Sequence, residues 1–345
     1  MNKKQKYFIK KQKNLLPTLV WKEVFPYFCG KFKSILTMNT SSSILQKARS
    51  QGIVFIDPRI DYAFKLIIGT PGNEDLLLRL VQAILPEKGI VSVALEQQEQ
   101  VGLRPDSRRS VVDVRCGTDD GSEMIIEMQV RSQDDFNDRL VFYSAFPIVN
   151  RLQQGDNTTY SLTPLYMVGI TDFIIPEVPR NDDMINHYTI RNVKDNGIEF
   201  TDSLHYITVE LPKLTETLQE VKDTPEWILY TIKNMGSMKE MPSEYRGSYL
   251  EKMFQLSNFA SMEEMSQREY LARYMWEVDQ RSQLRTARNE GLAEGRAEGR
   301  AEGRAEGRTE GLFETARMML SDGVALSTIQ KYTGLSQDEI LNLNK

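Results

Sequence analysis

Two carboxylates and a carboxamide, Asp113, Glu127 and Gln129, are spaced so that one β-hairpin brings them together. Folding residues 111–130 about Asp120 sets Val114 opposite Ile126, Val112 opposite Met128 and Cys116 opposite Met124, which makes one face continuously apolar. The other face then pairs Asp113 with Glu127 and Val111 with Gln129. Directly opposite residues of an antiparallel pair stand about 4.5–5.5 Å apart at Cβ and share a face. A slip of one residue would scatter the apolar set over both faces, so the pattern itself selects the register. The loop Asp119-Asp120-Gly121 suits a type I turn closed by a left-handed glycine. Facing carboxylates repel each other unless a cation stands between them, which is how a hard-metal site reads in sequence. The bland alternative is the solvated polar face of a half-exposed hairpin, the ordinary meaning of such alternation.

The elements that must position these residues begin near Ile53. Ile60, Ala63, Phe64, Ile67 and Ile68 recur at helical spacing in residues 59–68, and Gly69-Thr-Pro-Gly ends that helix. A second helix is predicted over 74–85, stopped by Pro86, and a strand over 90–103. The hairpin strands are predicted over 110–116 and 123–130, followed by a long helix over 134–154 and a buried strand over 164–175. Two further strands, 187–193 and 206–211, flank a turn at Asp195-Asn196-Gly197. This succession predicts an α/β (α+β) sandwich, a mixed β-sheet flanked by helices, followed by a helical C-terminal region. Residues 214–288 turn helical and charged and read as a small helical region, a lid or an assembly surface.

Ala-Glu-Gly-Arg then occurs four times in succession from Ala293 to Arg308. On a helix a four-residue period stacks like on like at i,i+4, Glu298 over Glu302 and Arg300 over Arg304, which is unfavourable. Each glycine costs a further ~0.8–1 kcal/mol against alanine. The segment is therefore either a flexible spacer or an oligomerisation helix whose partner sets an Arg stripe against its Glu stripe. In the tail, Ser336 and Glu339 form a capping box after Gly334, giving a helix–turn–helix outline. Lys331 is the only basic residue from Ser321 to Leu343, so charge favours a packing element over a DNA reader.

Composition sets the outer limits. The 345-residue chain is 26% charged and 40% hydrophobic, enough for one large domain or a few small ones. No apolar run approaches the ~20 residues that span a bilayer. Two cysteines, Cys29 and Cys116, exclude a disulfide scaffold and a Cys-based zinc site and fit a reducing, cytoplasmic setting. Net charge is −5, yet residues 1–37 hold nine lysines against one glutamate, +8, which leaves −13 for the rest. Met38 offers an alternative start, so the arm is read as either untranslated or a basic extension. The boundaries drawn are 1–50, extension; 51–212, the hairpin-bearing domain; 213–288, helical; 289–311, repeat; and 312–345, tail.

Asp113 with Glu127-x-Gln129 on a hairpin resembles the PD-(D/E)XK nuclease superfamily. Phe64-Lys65 with Gly69, the following helix with Ala83-Ile84-Leu85, Arg139-x-x-x-Tyr143 after the hairpin, and Tyr160 ahead of the strand at Tyr166 narrow the likeness. Over about residues 55–211 the chain resembles the Rpn group of recombination-promoting nucleases, the PD-(D/E)XK nuclease family transposases. The resemblance implies a restriction-endonuclease-like fold and Mg²⁺- or Mn²⁺-dependent cleavage of DNA in recombination, mobile-element biology or defence. It implies that Asp113, Glu127 and the Met128 backbone carbonyl hold the metal. Gln129 stands where the superfamily's lysine usually stands, and an amide can orient a water but carries no charge. Lys65 is the candidate replacement cation, Asp61 the candidate extra carboxylate on the same helix face, and Arg139, Tyr143, Arg104, Arg108 and Arg109 the candidate DNA contacts. A homo-oligomer joined through the repeat is expected, and no membrane association. The alternative is a catalytically weak oligomeric binding protein built around the repeat and tail.

Overall fold

The computed structural model of the chain describes residues 41–96, 113–132, 135–154, 162–176 and 181–343. The chain divides into two compact units, residues 1–275 and 276–345.

In the first unit, helices α1 (Ser41–Ser50), α2 (Asp61–Ile68) and α3 (Glu74–Ile84) precede strands β1 (Val93–Leu95), β2 (Val114–Thr118) and β3 (Glu123–Gln129). Helix α4 (Phe136–Gln154) follows the hairpin, then β4 (Leu165–Thr171), β5 (Ile185–Arg191) and β6 (Glu199–Glu210). The described strands form one six-stranded mixed sheet in the order β1-β2-β3-β4-β6-β5. β3, β4 and β6 run parallel, while β1-β2, β2-β3 and β5-β6 are antiparallel. Helices α5 (Leu218–Val221), α6 (Trp227–Asn234) and α7 (Glu251–Ser257) and the start of α8 (Glu264–Ser321) complete the unit. The predicted sandwich with a mixed sheet is the fold observed. The predicted 90–103 strand is described only as Val93–Leu95.

Both faces of the sheet are covered. On one, Val114, Cys116, Ile126, Val168 and Ile207 pack with Phe64, Ile67 and Ile68 of α2 and Leu76, Leu77 and Leu80 of α3. Trp227, Ile228, Phe254 and Tyr270, from the helical stretch that begins after residue 213, join that same core. On the other face, Ile125, Leu165 and Met167 pack against Phe136 and Leu140 of α4. Fully burying a side chain of this size contributes about 1.5–3 kcal/mol, so the two faces anchor the hairpin from both sides. Cys116 is a buried thiol, and burial pushes its pKa up to about 12.

Gly169 sets how close α4 comes. It lies opposite Glu127 in the β3–β4 register. A Cβ there would stand 2.5 Å from Phe136 Cζ and 3.0 Å from Leu140 Cδ1. The helix therefore rests directly on the backbone of β4. Gly169→Ala is expected to push α4 outward and destabilise the domain by about 1–3 kcal/mol, the range for overpacking. A lowered midpoint in chemical denaturation checks this; an unchanged midpoint would show that Phe136 yields without strain.

In the second unit the predicted repeat is helical, as part of α8, and residues 281–311 are exposed throughout. Helices α9 (Leu326–Thr333) and α10 (Gln337–Asn342) follow. Ala316, Ile329, Leu335 and Ile340 make a small core of their own. Gly334 takes the left-handed cap of α9 at φ +73°, and Ser336 with Glu339 forms the expected capping box of α10. Among the described residues no helix is long and apolar enough to cross a membrane.

Candidate active site

The hairpin has the register that its apolar residues demand, with Val114 opposite Ile126 and Cys116 opposite Met124. Its turn closes through the Gly121 N–H donating to the Thr118 carbonyl (3.0 Å), with Gly121 at φ +82°. Asp113 stands one residue before β2 and, in the same register, faces Glu127 of β3. The Met128 backbone N–H donates to Asp113 Oδ2 at 2.7 Å, and the Lys65 ammonium lies 2.9 Å from Asp113 Oδ1. Asp113 is 3% exposed and Glu127 8%. Unlike the solvated face of an ordinary hairpin, this polar face is enclosed by α4. Glu123, farther along it, is buried too and pairs with Arg115.

Burial governs the electrostatics. Loss of solvent raises the Asp113 pKa, opposed by the Lys65 charge and by the hydrogen bonds from Lys65 and the Met128 amide. Glu127 is pushed well above the usual carboxylate range, first by burial and then by the charge of Asp113. Burial works against the Lys65 ammonium, but Asp113, Asp61 and Glu127 together outweigh it and raise its pKa. Asp61, on the same face of α2, lies 3.6 Å from the Lys65 ammonium and 3.3 Å from the Arg273 guanidinium.

Gln129 does not stand alone. Arg139 Nη1 donates to Gln129 Oε1 (3.4 Å), and Gln129 Nε2 donates to the Arg131 carbonyl (3.2 Å). Arg139 Nη2 donates to the Tyr143 hydroxyl (3.3 Å), with the guanidinium 5.5 Å from the centre of the Tyr143 ring. The Arg139 charge also reaches Glu127 and partly offsets its raised pKa. The structure thus brings together Asp61, Lys65, Asp113 and Glu127 in one group and Gln129, Arg139 and Tyr143 in another, joined by the Arg139 charge acting on Glu127. Beside them a cleft of about 620 Å³ is lined by Tyr62, Lys65, Thr70, Glu96, Val114 and Arg115 among others. Arg104, Arg108 and Arg109 lie outside the described residues, as do Val111, Val112 and Tyr160.

Several partners are absent from the sequence reading. Arg273 reaches Asp61 from 212 positions away. Arg59 bridges Asp57 and Asp172 (2.8 and 3.1 Å), and the Asp172 amide donates to the Gln129 carbonyl (3.0 Å), bracing the end of β3. His187 and His205, on neighbouring strands, are partners of each other, with Nε2 and Nδ1 3.0 Å apart. His205 stacks on Tyr166 at 4.2 Å and lies 3.0 Å from the Asp202 carboxylate. Tyr166 is level with Met124, so this cluster sits towards the turn end of the hairpin, away from Glu127. No local pattern announces such pairings, because each crosses strands or distant helices.

Among the described residues no three His, Cys, Asp or Glu side chains converge on a metal position. A site here would rest on two carboxylates and backbone oxygen. The donor set fits a hard divalent ion on one observation: Glu127 Oε1 is buried, beside Asp113, without a hydrogen-bond partner. Buried polar atoms are nearly always satisfied, and an orphaned carboxylate oxygen asks for an ion or its water. A residue's N–H and C=O leave an antiparallel strand on one edge. The Met128 carbonyl therefore lies on the same edge as the amide held by Asp113.

Comparison with known proteins follows this geometry. The family profile described as PD-(D/E)XK nuclease family transposase matches residues 58–287. The profile described as Rpn/YhgA-like nuclease family, C-terminal HTH domain, matches residues 309–345. The first match runs past the hairpin domain through the helical stretch. The second covers the tail that charge alone favoured as a packing element. No curated protein and no solved structure matches.

Proposed function

Because the chain belongs to the PD-(D/E)XK nuclease family transposases, a nuclease family, we propose that it is a divalent-metal-dependent DNA endonuclease working at Asp113 and Glu127. The observation that carries this reading is the buried Glu127 oxygen left without a partner beside Asp113.

Asp113, Glu127 and the Met128 carbonyl hold the ion, Mg²⁺ or Mn²⁺. When bound, it lowers the pKa of a water and neutralises charge on the phosphate. Gln129, held by Arg139, orients water through its amide but carries no charge. The cation missing at that position stands one contact away as Arg139, and a second, Lys65, stands on the far side of Asp113. Arg139 and Tyr143 contact the DNA backbone, with Arg104, Arg108 and Arg109 as further phosphate contacts. The C-terminal HTH domain supports DNA as the partner. Cleavage in the cytoplasm serves recombination, mobile elements or defence. The exposed Glu and Arg stripes of the repeat support self-association, since like charges at i,i+4 gain only from an opposing stripe on a partner.

The test is nicking of supercoiled plasmid with Mg²⁺ or Mn²⁺. Wild type is expected to cut, Asp113→Ala to lose at least ~10³-fold, and Gln129→Ala to retain part of the rate, since it removes a neutral group. The second reading, an oligomeric binding protein of weak catalysis, draws on Gln129 and on the exposed repeat. It takes the lead if wild type and Asp113→Ala are equally inert while deletion of residues 289–345 dissolves an oligomer.

A further inference from the structure

We infer that the strand taken at this site is held with its bases unstacked, as single-stranded DNA or an unpaired stretch, and that Phe142 and Phe146 of α4 are the surface on which the bases stack. The location of this surface rests on the nuclease reading; the binding chemistry does not.

Arg139, Phe142, Tyr143 and Phe146 fall at i, i+3, i+4 and i+7, so they form one stripe along α4. The neighbouring stripe, Phe136, Leu140 and Ser144, is the one buried against the sheet. Phe142 is 56% exposed, although a phenylalanine is ordinarily among the more buried residue types. Its ring meets Phe146 edge to face at 5.0 Å and lies 6.0 Å from the Tyr143 ring. Tyr143 leads to Arg139, and Arg139 to Gln129 and the field of Glu127. An aromatic run thus begins in solvent at Phe142 and ends at Tyr143, from which Arg139 leads on to Gln129, two residues from Glu127.

Charge decides what such a run recognises. Non-specific grip on a duplex comes almost entirely from cations on phosphates. Outside residues 1–37 this chain is at −13, and four of the cations around the site are held in ion pairs. Lys65 is held by Asp113 and Asp61, Arg59 by Asp57 and Asp172, Arg115 by Glu96 and Glu123, and Arg273 by Asp61 and Glu269. Stacking of a base on an aromatic ring needs no net charge and is worth on the order of tenfold or more in affinity per base. It is open only to bases that have left a duplex stack. A second copy of this chain is the other possible occupant. A single helix stripe falls well short of the roughly 800 Å² per partner that a stable interface buries, and its continuity with the carboxylates favours nucleic acid.

The test uses the full-length protein in EDTA, so that nothing is cut. Anisotropy titrations compare a labelled single-stranded oligonucleotide with the same sequence as a duplex, and a 2-aminopurine base reports stacking. Phe142→Ala with Phe146→Ala is expected to weaken single-strand binding on the order of tenfold or more while leaving duplex binding unchanged. The same double substitution is expected to erase the 2-aminopurine signal, while Phe142→Trp keeps both the signal and the single-strand affinity. Phe142 is exposed and Phe146 half-buried, and circular dichroism checks that the variants fold. Single-strand affinity or a 2-aminopurine signal that survives the double substitution overturns the inference. So does sedimentation showing that the double substitution splits an oligomer. If wild type nicks plasmid yet the double substitution changes neither single-strand binding nor the 2-aminopurine signal, only this inference fails. If it binds single strands through the two rings yet never cuts with any metal, only the nuclease reading fails.

Discussion

Glu127→Gln is expected to abolish nicking and, in the same protein, to raise the melting temperature of the metal-free state at pH 8. The two effects share one cause. The Glu127 carboxyl is buried beside Asp113, and its pKa is raised by burial first and by that neighbouring charge second. A carboxyl whose folded pKa lies above its unfolded one binds more protons in the folded state. Stability is then highest at or below the ordinary carboxylate pKa and falls as pH rises from there through the raised value. The native chain carries more of that penalty as pH rises. Glutamine keeps the shape and removes the charge and the repulsion, so it is expected to raise stability. The wild-type midpoint should fall between pH 5 and pH 8 more steeply than that of the variant. Activity moves the other way, since an amide cannot replace a carboxylate on a hard cation; the loss should reach ~10³-fold or more. Equal pH slopes for the two proteins in a thermal melt would sink the explanation.

Lys65→Met should do the reverse to stability. Removing the ammonium leaves Asp113, 3% exposed, facing Glu127 with one compensating charge gone. Breaking a buried pair on one side costs about 3–5 kcal/mol. The Lys65 side chain is a quarter exposed, which argues for the lower end or somewhat below, about 2–3 kcal/mol. A fall of roughly 4–10 °C in melting temperature is expected. Adding Asp113→Asn should recover much of it, because the neutral amide still accepts from the Met128 N–H. A double-mutant cycle reads the coupling directly, and strict additivity would mean that the 2.9 Å contact contributes nothing.

The hairpin was legible because three independent constraints agree on one register: the apolar alternation, the turn chemistry and the opposed carboxylates. The helices α2 and α3 were legible through their periodicity, and the capping box at Ser336 through its spacing. What the sequence could not convey is enclosure. Glu123, Ile125 and Glu127 alternate as a solvent-facing row would, and only the approach of α4 over Gly169 turns that row into an interior. The companions of the site share that opacity. Arg273 reaches Asp61, and Arg59 reaches Asp172, through folding of segments far apart in the chain. Arg139 was marked by its family motif, but its contact with Gln129, which sets a charge beside a neutral amide, depends on the height of α4 above the sheet. In the tail, sparse positive charge pointed to packing, whereas the family profile describes an HTH domain; a charge count does not identify a helix geometry.

The repeat within α8 carries identical side chains every four residues from Ala293 to Arg308, all turned to solvent. A helix advances about 1.5 Å per residue, so its surface pattern returns every ~6 Å. Any helix that reads this surface finds several alignments of nearly equal energy, offset by one unit. Such a seam can slide like a ratchet between stops. The place where it comes to rest must then be fixed by the non-repeating sequence at either end, so lengthening the array by a whole unit would add a stop without redesigning the contact.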